Sequence, residues 1–314
     1  MKKIMLSVLV SAVAVSSLFA GGAQASSSPA QVEVLLNAKK MSFPDAKPFQ
    51  DSQGSVMVPI RFVSEALGGK VSYNKSSGKT IVEVKKGTDT VKMTVGQTNA
   101  LVNGKSKSYG AKIILKQNRT FVPLRLVSEG LGQKVEWDKI GRWVWIGEKK
   151  FLNTDDAQFK LQPLSNFKQY MKNTYLFEKT TSGGELFKGI KVIQANQLPI
   201  KLSNGEIIYD IKLVKRKGYD YIAIRSSERG TPIFFMAKND YAKYRTGVDN
   251  AFENHKDGTA TNYYPVISGT DKFQTGKYIQ NYDHTKFKLN TTDYIAFSTY
   301  KVEDYIVAIV NPFK

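Results

Sequence analysis

The chain of 314 residues carries two histidines, His255 and His284, and no cysteine, so few side chains can do acid–base or nucleophilic chemistry near neutral pH. His284 directly follows Asn281-Tyr282-Asp283, which places a phenol, a carboxylate and an imidazole in succession. His255 sits between Asn254 and Lys256-Asp257-Gly258. If the protein is an enzyme, His255, Tyr282, Asp283 and His284 are the first residues to examine. A serine triad would have to recruit one of these histidines from loops rich in Asn, Asp and Gly, where a lone histidine is more often a solvated bystander. Other signals are weaker. Gly78-Lys79-Thr80 ends like a phosphate loop, but Tyr73 stands where the leading glycine must be. Ser72-Tyr73-Asn74-Lys75 and Ser76-Ser77-Gly78-Lys79 match the Ser-x-x-Lys spacing of penicillin-recognising enzymes. They fall in a strand-turn-strand pattern, whereas that serine should open a buried helix. No Gly-x-Ser-x-Gly elbow and no His-Glu-x-x-His helix occurs. The expectation is therefore a chain without catalytic residues, metal ligands or cofactor.

The elements that would position any site begin with an export signal. Met1, Lys2 and Lys3 form a positive start, Ile4 to Phe19 an apolar run, and Ala23-Gln24-Ala25 a small-x-small cleavage site before Ser26. The apolar run is short of the roughly 20 strongly apolar residues that spanning requires, so no transmembrane anchor is expected after cleavage between Ala25 and Ser26. Without cysteine the exported chain has no disulfides and depends on hydrophobic cores. The C-terminal residues lack the apolar tail and basic finish of a wall-sorting signal.

Downstream, one phrase occurs twice. Val58-Pro59-Ile60-Arg61-Phe62-Val63-Ser64-Glu65-Ala66-Leu67-Gly68-Gly69-Lys70-Val71 returns 64 positions later as Val122 to Val135, changed only at Leu124, Leu126, Gly130 and Gln133. Self-similarity at a fixed period indicates one supersecondary unit built twice. In each copy a strand ends at Val-Pro, with the proline opening a helix. Ile60, Val63 and Leu67, or Leu124, Val127 and Leu131, then mark a short amphipathic helix. Gly68 or Gly132 follows as its left-handed end. Alternating strands come next, with Val71, Tyr73, Ile81, Val82 and Val84 in the first copy and Val135, Trp137 and Trp143 to Ile146 in the second. Leu101-Val102-Asn103-Gly104-Lys105 is a clear hairpin, because Asn-Gly favours primed turns. Leu35-Leu36-Asn37-Ala38-Lys39 occupies the equivalent place, but Ala38 tolerates positive φ poorly, so that turn is either different or strained.

This pattern resembles the copper amine oxidase N-terminal-like domain, or stalk domain, of exported proteins in Bacillus-like bacteria. The carriers are the hairpin Leu35 to Phe43, Phe43-Pro44-Asp45-Ala46-Lys47-Pro48-Phe49, both Val-Pro-x-Arg-x-Val-Ser-Glu-x-Leu-Gly segments and the Val-x-Trp-Asp ending at Asp138, over roughly residues 31–148. The resemblance implies antiparallel sheet with short helices in a non-catalytic module, and it does not imply oxidase activity. Those oxidases make a quinone from the Tyr of Asn-Tyr-Asp/Glu and hold copper with three histidines. Asn281-Tyr282-Asp283 fits the tripeptide, but two histidines cannot form that copper site within one chain, and Tyr278 replaces the usual Thr or Ser.

The expected organisation is a signal peptide over 1–25, a tandem module over 26–148 with copies about 31–96 and 97–148, a linker over 149–156 that takes in Asp155-Asp156, and a separate β-rich α+β domain over 157–314. The fold class is α+β throughout. In the rear domain Leu164, Phe167, Met171 and Tyr175 suggest one amphipathic helix. Strands are expected at 190–193, 207–215, 219–225, 232–237, 293–298 and 304–310, with a turn at Lys215-Arg216-Lys217-Gly218. Residues 239–285 read as loop-rich, and their tyrosines, Tyr241, Tyr244, Tyr263, Tyr264, Tyr278 and Tyr282, could stack on sugars or anchor a protein, although ordinary packing accounts for them better.

Charge points to partners. After signal removal 44 Lys and Arg face 27 Asp and Glu, and residues 26–150 hold 21 basic against 10 acidic side chains. Such a field favours polyanions through steering and counterion release, or else serves only to keep a basic secreted protein soluble. For an exported chain the polyanions are anionic wall polymers or acidic polysaccharides. Nucleic acid is not expected, because no recognition motif is visible. Lys39, Lys40, Lys70, Lys79, Lys85, Lys86, Lys105, Lys107 and Lys112 are the candidate contacts. The reading is a secreted, envelope-associated binding protein, with an extracellular enzyme or a protein-interaction domain in 157–314 as the alternatives.

Overall fold

The two Val-Pro strands pair with each other. In the computed structural model, which describes residues 31–314 apart from 180–183, 229, 247–251, 275–276, 279 and 299–303, Val56–Pro59 lies antiparallel to Arg119–Pro123 with Val58 opposite Val122. The export signal and its cleavage site at Ala25 and Ser26 lie outside the described residues. Each strand runs directly into its helix, α1 (Ile60–Ala66) or α2 (Leu124–Gly130). Pro59 and Pro123 stand one residue earlier than the sequence suggested, as the extended residue before the first helical turn. Ile60 and Val63 of α1, and Leu124 and Val127 of α2, are buried, and the helices pack against one another. Gly68 and Gly132 take φ of 79° and 74°, left-handed values that a residue with a Cβ enters only with strain.

The ends of the front half pair as well. Glu33–Leu36, its first strand, lies parallel to Trp143–Ile146. Between them Lys70–Ser76, Lys79–Lys86, Asp89–Thr94, Asn99–Val102 and Lys105–Ser108 form a five-stranded antiparallel meander. One hydrophobic core gathers Val58, Val63, Val82, Val84, Val91, Val122, Val127 and Leu131. Each such side chain contributes about 1.5–3 kcal/mol on full burial. The hairpin at Asn37 and Ala38 is the strained alternative: their φ values are 49° and 63°, the same left-handed pair that Asn103 and Gly104 adopt at 50° and 78°.

The rear half is a strand-rich sandwich. One six-stranded sheet is built around Ile207–Arg216, Tyr219–Ser226 and Ala260–Pro265, the other around Gly189–Ile193, Tyr305–Val310, Thr292–Phe297 and Ile233–Ala237. Ile208, Ile222 and Ile224 of the first sheet meet Ile193, Phe235, Ile295 and Val307 of the second in a common core. The second sheet is buried on its other face too, under Phe167, Tyr170, Leu176 and Phe177. That cover is not the α-helix expected from Leu164 to Tyr175. It is a 3₁₀ helix over Leu164–Tyr170, then another over Tyr175–Phe177. At three residues per turn Leu164, Phe167 and Tyr170 fall on one face, which their spacing of three satisfies better than 3.6 does. The stretch 239–285 is also less irregular than expected, since it contributes the strands Lys243–Arg245, Phe252–Asn254 and Ala260–Pro265.

Residues 31–314 form one compact unit. Front and rear meet through an aromatic cluster in which Leu35, Ala38, Trp143 and Trp145 pack with Phe151 and Tyr209.

Candidate functional sites

At this meeting of front and rear lies a cleft of about 620 Å³. Its front wall is the hairpin of Val135–Asp138 and Trp143–Ile146, and its rear wall is Tyr209, Arg225 and the turn at 254–259. Arg225 organises the wall. Its Nη1 donates to Asp138 Oδ2 at 2.6 Å, its Nη2 to Asp257 Oδ2 at 2.6 Å and its Nε to Thr259 Oγ1 at 3.0 Å. The Arg225 and Asp138 side chains are only 6% and 9% exposed, so this pair is a buried tie across 87 residues of chain. Asp138 also accepts from the backbone N–H of Ile140 and Gly141 at 3.0 Å each. A Cβ on Gly141 would come within 3.0 Å of Arg225 Nη1 and 2.9 Å of the Trp143 ring, which is why a glycine stands there.

The charges of the cleft are largely spoken for. Burial works to raise the Asp257 carboxyl, yet Thr259 and Arg225 together hold it below the usual carboxylate range. Lys134 and Lys149 hold Glu136 down to about 2, while burial raises the Tyr209 phenol. His255 lines the cleft, with Nε2 2.7 Å from Thr261 Oγ1. The hydrogen bonds on Asp257 come from Arg225 and Thr259, so the structure does not join this imidazole and carboxylate into a dyad. Lys139 and Lys256 line the same cleft, are exposed, and form no ion pair with a described residue.

Tyr282, Asp283 and His284 do not line this cleft. Asp283 caps a 3₁₀ turn over His284–Lys286, accepting from the Thr285 hydroxyl at 2.5 Å and the Thr285 N–H at 3.1 Å. These bonds hold its carboxyl below the ordinary range. Tyr282 lies beneath the Lys243 ammonium at 5.1 Å. Two further grooves, of about 660 Å³ each, contain neither histidine; Arg125, Glu129 and Trp137 line one, Tyr219, Ile267 and Phe287 the other. Among the described residues no three His, Asp or Glu side chains are placed to hold a metal ion.

The candidate lysines divide by face. In the five-stranded meander Val82, Val84, Val91 and Met93 point to the core, so alternation turns Lys79, Ile81, Glu83, Lys85 and Lys92 outward. Lys70 sits directly opposite Lys85, and Lys92 opposite Glu83. Lys70, Lys79, Lys85 and Lys92 thus share one open sheet face, where Glu83, 3.2 Å from Lys85, is the acidic residue. Lys92 was missed, although the alternation Thr90-Val91-Lys92-Met93 could have found it. Lys86 is half-buried on the core side, while Lys105 and Lys107 are exposed on the edge strand, opposite Val102 and Ala100. Lys39 is exposed on the short strand Lys39–Lys40, and Lys112 is exposed in an irregular segment. Lys40 serves the junction instead: it pairs with Glu33 at 2.8 Å, reaches Asp210 at 3.8 Å and lies over Trp143.

The tyrosines of 239–285 mostly pack. Tyr264 is fully buried and donates to the Thr231 carbonyl at 2.8 Å. On the opposite side of that strand Tyr263 carries the Arg216 guanidinium at 3.8 Å and donates to Glu253 at 3.1 Å. Tyr241 lies under Lys172 at 4.8 Å, Tyr244 packs against the core under the second sheet, and Tyr278 is exposed.

Residues 35–146 match the family model of the copper amine oxidase N-terminal domain, a stalk-type domain. The catalytic domain of those oxidases is not matched. No curated protein and no solved structure was found to match the chain.

Proposed function

We propose that this is a secreted, non-catalytic binding protein of the cell envelope. Its tandem stalk module contacts anionic wall polymer and spaces a rear domain of separate specificity. The observation that carries the reading is the basic sheet face formed by Lys70, Lys79, Lys85 and Lys92. Like charges directly opposite across a ladder, as Lys70 and Lys85 are, destabilise a sheet by a few tenths of a kcal/mol to about 1 kcal/mol. Core packing does not require them there, and an anionic partner relieves the repulsion. The reading predicts that the mature chain sediments with purified Gram-positive cell wall at about 50 mM salt and is released by about 500 mM, where the Debye length has shrunk severalfold. Exchange of the four lysines for glutamine should remove most of the bound fraction. Absence of binding at low salt sinks the proposal.

The enzymatic alternative draws support from His255, which lines a cleft. Against it stands Asp257, whose carboxylate is committed to Arg225 and Thr259.

A further inference from the structure

We infer that the junction cleft is a binding site for an acidic sugar, a pyranose ring bearing a carboxylate or a phosphate. The site extends the envelope reading, resting on it only for where such a ligand would be met, and it uses none of the sheet-face lysines. Its volume of about 620 Å³ lies within the range of small-molecule sites. Trp137 and Tyr209, each partly exposed, line it and offer flat surfaces of mixed polarity for the C–H face of a sugar ring, while Trp145, 4% exposed, is packed behind them. Asn254 adds an exposed amide able to both donate and accept hydrogen bonds to hydroxyls.

Charge chooses the class of sugar. The three acids of the cleft are each held by cations of the protein, Glu136 by Lys134 and Lys149, Asp138 and Asp257 by Arg225. Lys139 and Lys256 keep their charge without a described acidic partner. The unspent charge is therefore positive, and a neutral sugar would leave it unused. The wall is also preorganised, because Arg225 fixes the hairpin and the 254–259 turn at once.

All three tryptophans of the chain, Trp137, Trp143 and Trp145, lie in or behind this wall, so intrinsic fluorescence reads it directly. The mature chain would be titrated with tetragalacturonate, with glucose 6-phosphate and with neutral cellotetraose. A saturable change is expected with the first, the second or both, which tells carboxylate from phosphate, and binding of cellotetraose should be at least about tenfold weaker. The double variant Lys139→Gln, Lys256→Gln, altered only at exposed positions, should lose about tenfold in affinity for the acidic probe while keeping the wild-type far-ultraviolet spectrum. The sheet-face variant should titrate as wild type even where it no longer sediments with wall. No saturable change with either acidic probe, equal binding of cellotetraose, wild-type affinity in the double variant, or loss of the titration in the sheet-face variant would each overturn the assignment.

Discussion

Glu206 is a carboxyl sealed into the rear half, 2% exposed, with one oxygen accepting from the Thr231 hydroxyl and the other without a partner among the described residues. Burial raises its pKa. A raised folded value means that stability is fully present below the ordinary carboxylate range, about 4.3, and is lost as pH rises through the folded value. Each tenfold displacement of that equilibrium is worth about 1.4 kcal/mol. The variant Glu206→Gln should accordingly lose less stability than wild type across that window and melt several degrees higher at pH 8, as calorimetry can check. Equal melting at pH 8 would show that the proton is not coupled to folding. The buried pair of Arg245 and Asp271 is the opposite case. Both side chains are almost fully enclosed, at 1% and 2% exposure. All five guanidinium donors are used, on Asp271 at 2.6 and 2.9 Å and on the carbonyls of Tyr244, Pro265 and Val266. Asp271→Ala strands that charge, and urea unfolding should show a loss of about 3–5 kcal/mol.

At the scale of the element, the hairpin at Asn37 and Ala38 shows how packing overrules turn preference. A left-handed alanine costs about 1–2 kcal/mol, but the Ala38 methyl is buried in the cluster with Trp143 and Trp145, where a methyl contributes about 0.8 kcal/mol. Glycine would relieve the strain and lose both the methyl and some chain entropy. Ala38→Gly should therefore change stability by less than about 1 kcal/mol, whereas Ala38→Val, branched at a left-handed position in a filled site, should cost more than about 2 kcal/mol in urea unfolding. This strain was legible before the structure, because the repeat aligned Ala38 with Gly104. The strands at 189–193, 207–216, 219–226, 233–237, 292–297 and 305–310 were legible too, as β-branched and aromatic runs. Ala260–Pro265 was not, because a polar residue, Asn262, holds one of its inward positions between Ala260 and Tyr264. Nor could the junction cleft be read, since it depends on Arg225 meeting Asp138 across the fold. Residue types predicted that aromatic and basic side chains would matter, and only topology says which of them meet.

For the whole molecule, two large cores in front and rear are joined by a small aromatic cluster, the Lys40–Asp210 pair and the Arg225 tie. Arg225 is the buried charge of this joint, and much of the coupling is expected to run through it. We expect one calorimetric transition for the wild type and two for Arg225→Ala, which leaves Asp138 enclosed without its cation, a loss of about 3–5 kcal/mol concentrated at the joint. A single unshifted transition in the variant would refute that coupling. The pairing of Glu33–Leu36 with Trp143–Ile146 bears on the protein before it is finished. A ribosome makes the first of these strands long before the second, so, with the hairpin partner Lys39–Lys40 on one side only, its other edge stays unpaired for most of the time the front half is being made. The yield of sound protein then depends on shelter during synthesis more than on the stability of the finished fold. A helper that shields the early strand, or slower production, should rescue soluble material that no stabilising substitution in the rear half can recover.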